Sequence, residues 1–293
     1  MTNPAWRGKR YRQVDVFADE PFGGNGLSVF WESSGLSSVD MKALTIELRQ
    51  FESVFIEQTD APNEYKARIF TMEEELDFAG HPVLGGAAVL HEKYGSKEVE
   101  AWVIRLRKST ISVRTEKRGR GYFAAMRQPP PVFGPSTVPQ ADTQELISAL
   151  NLRVGDLYPG LPLETVSTGL PYVVVPLRSN IAKAAITIDN LGELLQRQGA
   201  KFIYLYDIEN AEGRTWDNKG KVEDIATGSA AGPVAAYLCR HRRLSVGQEL
   251  TISQGRHVGR PSRLKAKVFG TPEDLGEVEV SGSIQMVSES ILD

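Results

Sequence analysis

The chain has 293 residues, 41% hydrophobic and 24% charged, with a formal net charge of -3. This balance excludes a disordered chain and gives nucleic acid no electrostatic hold. The longest apolar runs, such as Pro171 to Leu177, are too short to span a membrane. Such a length suits two lobes better than one core. Arg7, Lys9, Arg10 and Arg12 have no apolar stretch behind them, so no secretory signal is expected and a cytoplasmic location is the default. The single cysteine, Cys239, excludes an intrachain disulfide and a multi-cysteine metal cluster, and its apolar helical setting predicts a buried, inert thiol.

In chain order, Tyr11–Phe17 alternates as a strand and ends in the turn Pro21-Phe22-Gly23-Gly24-Asn25-Gly26, after which Leu27–Trp31 reads as the next strand. Ser37 or Ser38 caps a helix to about Gln50. Strands at Ser53–Glu57 and Lys66–Thr71 lead to the loop Phe78-Ala79-Gly80-His81-Pro82. A helix follows from Pro82 to about Tyr94, with Pro82 in the first helical position and Gly95 as its stop. Strands come next near Trp102–Leu106, Thr110–Arg114 and Tyr122–Met126, the last two flanking a basic hairpin tip from Arg114 to Arg120.

The proline-rich stretch Gln128 to Gln140 can hold neither a helix interior nor a central strand and reads as a linker. Beyond it come helices near Thr143–Leu150 and Leu191–Gln198, and strands at Tyr172–Leu177 and Phe202–Tyr206. A second glycine turn, Ala226-Thr227-Gly228-Ser229, opens a helix of roughly Ala230–Arg240, and strands close the chain.

With an offset of 147 residues, Phe55-Ile56 falls on Phe202-Ile203, Asp77 on Asp224, Ala79 on Ala226 and Gly85 on Gly232, while Arg68 misses Arg214 by one position. The expected architecture is two α+β lobes with a cleft between them. Residues 1–127 form the first, completed by a C-terminal strand at about 282–293, and 128–281 form the linker and the second.

Both glycine turns place small residues where a strand gives way to a helix, so Gly80, and Gly228 with Ser229, can aim backbone N–H groups at a carboxylate or phosphate. Each turn alone also serves as a plain tight turn. Titratable groups stand beside them: His81 follows Gly80, Asp224 precedes the second turn, and Glu52 lies among the apolar Phe51, Val54 and Phe55. Burial would raise the pKa of such a carboxyl toward the range of a general base. Singly, each of the three also suits a cap or a solvated turn. His91, His241 and His257 show no zinc-ligand spacing, and neither a dinucleotide fingerprint nor a Walker lysine is present.

The co-linear segments Asp15-Val16-Phe17-Ala18, Pro21-Phe22-Gly23-Gly24-Asn25, Glu52-Ser53-Val54-Phe55, Arg68-Ile69-Phe70-Thr71 and Glu75-Leu76 with Phe78-Ala79-Gly80-His81-Pro82 resemble the phenazine-biosynthesis PhzF-like family. Ser167-Thr168-Gly169-Leu170-Pro171-Tyr172 and Glu223-Asp224 with Ala226-Thr227-Gly228-Ser229-Ala230-Ala231-Gly232-Pro233 continue the resemblance, which runs from about Tyr11 to Pro261. It implies a diaminopimelate epimerase-like fold: two pseudo-symmetric lobes, each a barrel-like, mostly antiparallel sheet around a central helix. It further implies a homodimer, no metal or organic cofactor, and an isomerase that moves a proton between ring carbons of a dihydro-hydroxyanthranilate. By that resemblance Glu52 matches the acid/base residue, His81, Asp224 and Ser229 match residues around the substrate, and Gly80 and Gly228 match backbone-amide positions.

Relatives of this fold that epimerise amino acids use two cysteines. Here the corresponding positions are expected at Ala79 and Ala226, which excludes a two-thiol mechanism. Gly26, Met72, Asp77 and Ile225 stand where the family usually has proline, so the loops at Asp77 and Ile225 are expected to reshape the cleft. The expected function is proton movement by acid/base catalysis on a small carboxylate-bearing substrate. Two alternatives stand beside it: another acid/base reaction on the same fold (cyclisation, dehydration or single-base epimerisation), and a non-catalytic small-anion binder.

Overall fold

The computed structural model describes residues 4–293, with the backbone alone at 135 and 136. The protein is α+β, with a mostly sheet core and five α-helices among the described residues. No helix among them is long and apolar enough to cross a membrane. The chain divides into two compact units, Met1–Arg127 with Ser281–Asp293, and Gln128–Val280.

The first unit contains β1 (Arg10–Val16), β2 (Asn25–Phe30), α1 (Ser38–Glu47), β3 (Glu52–Gln58), β4 (Glu64–Phe70), β5 (Glu75–Leu76), α2 (Gly80–Tyr94), β6 (Val99–Arg105), β7 (Thr110–Arg118) and β8, which starts at Gly121 and ends at Gln128. Ser37 caps α1 reciprocally: its hydroxyl accepts the Asp40 N–H at 3.2 Å, and Asp40 accepts the Ser37 N–H at 2.9 Å. The helix stops at Glu47, short of Gln50, and Arg49 turns the chain with φ of 50°.

Helix α2 is buried from Gly80 to His91 and packs on β1, β2, β3, β6 and β7. Its small residues permit this approach, since a Cβ on Gly85 would lie 2.5 Å from Leu27 Cδ2 and 2.9 Å from Val16 Cγ2. Pro82 is the third helical residue, not the first, because the helix already begins at Gly80. Gly95 does not close the helix through a left-handed turn, having φ of -70°; it is glycine because a Cβ would strike the His91 ring. That ring is structural. Its Nε2 faces the Lys97 carbonyl at 2.9 Å and its Nδ1 faces the Thr115 hydroxyl at 2.7 Å.

The second unit contains β9 (Val132–Thr137), α3 (Gln140–Ala149), β10 (Glu164–Ser167), β11 (Pro171–Leu177), α4 (Leu191–Arg197), β12 (Phe202–Asp207), β13 (Glu212–Arg214), α5 (Gly228–Arg240), β14 (Glu249–Gln254), β15 (Ser262–Gly270) and the start of β16 (Leu275–Ile291). The proline-rich stretch is therefore more than a linker. It carries β9, which among the described residues pairs with β10 alone and so tolerates a proline at the sheet margin. Cys239 lies buried on α5, and burial pushes its thiol up to about 11.

Strand pairing repeats between the units. From β1 through β7 the senses run antiparallel, parallel, antiparallel, parallel, antiparallel, and from β10 through β15 they run in the same order. The later part of β16 flanks β1 as β9 flanks β10.

The register corrects the repeat expected from sequence. Arg68 lies opposite Phe55, and Arg214 lies opposite Leu205, so Phe55 corresponds to Leu205 rather than to Phe202. Side chains alternate faces along a strand, and the two candidate positions differ by an odd step. Phe55 packs under α1 with Met41 and Leu44, and Leu205 packs with Leu194 and Leu195 of α4. The repeated arginines confirm the alignment: Arg68 stacks on Phe70 and grips Glu75, and Arg214 stacks on Trp216 and grips Glu223.

Candidate active site

In the first unit the site grows from strand alternation. Val54 and Ile56 of β3 face α2 at Gly86, so Glu52, two residues before Val54, faces the same helix at its start. There it meets His81, the second residue of α2. Glu52 is 7% exposed and His81 5%, with His81 Nδ1 3.5 Å from Glu52 Oε2. Burial drives the imidazole down to about 3, so His81 is neutral and the contact is not an ion pair at neutral pH. Its Nε2 is buried and has no hydrogen-bond partner among the described residues. A buried ring nitrogen left without a partner is costly unless a water or a ligand supplies one.

The neutral imidazole has a measurable consequence for stability. In the unfolded chain it titrates near 6.5. Between that pH and about 3 the unfolded state binds a proton that the folded state does not, so this contribution to stability falls as the pH drops through the window. His81→Asn is expected to lose about 2 kcal/mol less than wild type between pH 7 and pH 5. Urea titrations at each pH check this; equal losses in the two proteins would show that His81 is not held neutral.

In the second unit Asp224 lies in the loop before α5, and Gly228 and Ser229 are the first two residues of that helix. Asp224 Oδ2 accepts the Thr227 hydroxyl at 2.6 Å, and its Oδ1 accepts the Ala226 N–H at 3.3 Å. Ser229 Oγ lies 2.7 Å from the hydroxyl of the buried Tyr172. Thr168 donates to Gln128 at 2.6 Å, beneath α5 where Gly232 leaves room, because a Cβ there would strike Gln128.

The two helix starts are comparable in detail. The residues preceding the helical glycines are Ala79 and Thr227, so Thr227 and not Ala226 is the counterpart of Ala79. Neither side chain caps its helix. In α2, Pro82 removes the third N–H; in α5, the Ala230 N–H is taken by the Thr227 carbonyl at 3.0 Å. Gly80 with His81, and Gly228 with Ser229, thus lead each helix with a pair of successive backbone donors suited to a carboxylate oxygen. The structure brings Glu52 to His81 within the first unit, and Asp224 and Ser229 to the head of α5 within the second. In place of β3's Glu52, β12 begins with Phe202, so the carboxyl has no counterpart.

Tyr172, Thr227, Gln128 and Gln254 were not singled out by spacing. Tyr172 and Thr227 lie inside motifs quoted above, whereas Gln254 on β14 carries no sequence signal. Of the loop departures, Asp77 is held by Arg107 at 2.7 Å and Lys108 at 2.6 Å, so an ion pair fixes the turn in place of a proline ring. The Ile225 carbonyl accepts the Ser262 hydroxyl at 3.3 Å. Among the described residues no three His, Cys, Asp or Glu side chains gather as metal ligands.

Comparison with known proteins places this chain in a family. The family model described as phenazine biosynthesis-like protein, PhzC-PhzF, matches residues 14–290. A trans-2,3-dihydro-3-hydroxyanthranilate isomerase of Pseudomonas aeruginosa is 35% identical over 94% of this chain and 95% of its own length. The solved structure of a predicted epimerase from the same species has a TM-score of 0.90 and 44% identity, covering 97% of this chain and 99% of that one. A PhzF family protein of Bacillus anthracis, at a TM-score of 0.84 and 22% identity over 98% and 99% of the two chains, shares the fold. The chain belongs to the phenazine biosynthesis-like, PhzC-PhzF family.

Proposed function

We propose that this protein is an isomerase that moves a carbon-bound proton by acid/base catalysis, without a cofactor, on a small carboxylate-bearing substrate, each unit being one of two pseudo-symmetric lobes. The observation that carries the reading is the buried Glu52 carboxyl beside a neutral His81 whose Nε2 awaits a partner. Glu52 takes the proton as the C–H bond breaks. The electron pair moves into the adjoining unsaturated system, and the proton returns at another carbon, so atoms and charge balance without a redox partner. His81 hydrogen-bonds the substrate, Asp224 and Ser229 orient it, and the Gly80 and Gly228 amides hold its carboxylate. A homodimer is part of the same reading.

The compound named for the Pseudomonas aeruginosa relative, trans-2,3-dihydro-3-hydroxyanthranilate, is the first probe because it joins a carboxylate to an unsaturated ring. Product analysis by NMR and mass spectrometry tests the reading. An isomer of unchanged mass supports it; loss of water identifies a dehydratase, and unaltered compound that nevertheless binds saturably in calorimetry identifies a binder.

A further inference from the structure

The head of α5 is backed by a hydrogen-bond relay whose direction is fixed by donor chemistry. Gln254, 2% exposed, accepts through Oε1 the Thr227 backbone N–H at 3.2 Å and the Tyr204 hydroxyl at 2.8 Å. Through Nε2 it donates to the Asp224 carbonyl at 2.8 Å and to Thr227 Oγ1 at 2.9 Å. A backbone N–H can only donate and a carbonyl can only accept, so the amide has one possible orientation from either end. Thr227 Oγ1 already receives the Gln254 N–H, and its own proton goes to Asp224 Oδ2 at 2.6 Å.

Tyr204 is fully buried, and burial raises its phenol well above the ordinary value, which keeps the O–H a donor. Gly213 beside it leaves the space that a Cβ would take from the phenol. With Tyr204, Gln254 and Thr227 all buried, water has little access to stand in for a missing member.

We infer that Gln254 and Thr227 are positioning residues that hold Asp224 as a hydrogen-bond acceptor at the head of α5, so that the ligand group it meets is a donor such as an amine or hydroxyl. This rests on the reading of Asp224 as a substrate-facing group. The relay is distinct from the proton-moving Glu52, which lies in the other unit.

Two arms keep the failure of the relay separate from failure of the proposed reaction. Neutron diffraction from the deuterium-exchanged protein is expected to show deuterium on Thr227 Oγ1 pointing at Asp224. Deuterium on Asp224 Oδ2, or a reversed Gln254 amide, overturns the relay whatever the reaction is. In kinetics with the probe above, Thr227→Val is expected to lower kcat about ten- to hundredfold, the worth of one hydrogen bond to a charged group, with KM changed less than about threefold. Thr227→Ser is expected to restore kcat to within about threefold. A kcat of Thr227→Val within about twofold of wild type, or a serine variant as impaired as the valine one, overturns the positioning role.

Discussion

Glu52→Gln is expected to lower kcat by about a thousandfold or more on any substrate the wild type isomerises, within the range that general acid/base groups contribute. The amide keeps the size of the side chain and its place beside His81, 3.5 Å away in the native pair, yet cannot accept the carbon-bound proton. Far-ultraviolet circular dichroism and the melting temperature are expected to stay near wild type, because the apolar face of β3 and α2 is untouched. Glu52→Asp withdraws the carboxylate by one methylene and is expected to cost about a hundredfold, the penalty for misplacing a reacting group by about 1 Å. Wild-type turnover by Glu52→Gln, measured by product NMR, would remove Glu52 from the mechanism.

Arg214→Met is expected to destabilise the protein by about 3–5 kcal/mol, because it leaves the Glu223 carboxylate buried without its cation. The pair is closed to water, with side chains 7% and 8% exposed. Arg214 also donates to the carbonyls of Ile181 at 2.7 Å and Ala184 at 3.1 Å, so three acceptor groups lose their donor together. Its counterpart in the first unit is Arg68, where the pair with Glu75 is 35% and 19% exposed. Solvent screens that pair, and Arg68→Met is expected to cost about 1 kcal/mol. Urea titration of both variants checks the ordering. Equal losses would show that burial does not separate the two repeats energetically.

Gly80, His81, Asp224, Gly228 and Ser229 are legible as candidates because they form or adjoin two glycine turns, and Glu52 because its carboxyl stands among apolar neighbours. Short-range chemistry marks places where a strand gives way to a helix. Gln254 is invisible in the sequence because it reaches Thr227 across 27 residues from the last position of an otherwise ordinary strand, and Tyr172 reaches Ser229 across 57. The internal repeat could be seen but was mis-registered. Matching Phe55 with Phe202 aligned like residues on opposite faces of their strands, an error that only the pairing with Arg68 and Arg214 reveals. The same 147-residue offset sets Ala226 against Ala79 and hides Thr227, whose hydroxyl ties the helix start to Asp224. The strand β9 went unread because its proline argues against a central strand and leaves a marginal one open.

The two units differ in chemistry more than in topology. The first offers a carboxyl and a neutral imidazole; the second offers an aspartate with its hydrogen-bond relay and a serine paired with a tyrosine. Burial keeps His81 uncharged, whereas Asp224 accepts the Ala226 N–H and the Thr227 hydroxyl.

The most direct measurement is solvent-deuterium incorporation into trans-2,3-dihydro-3-hydroxyanthranilate or its isomer in D2O, followed carbon by carbon by NMR with wild type and Glu52→Gln side by side. A proton-moving isomerase places solvent deuterium at the carbon that is reprotonated, and Glu52→Gln places none. Deuterium entering at the same rate with both proteins, or a ligand that saturates the wild type without exchanging a single carbon-bound proton, would contradict the account.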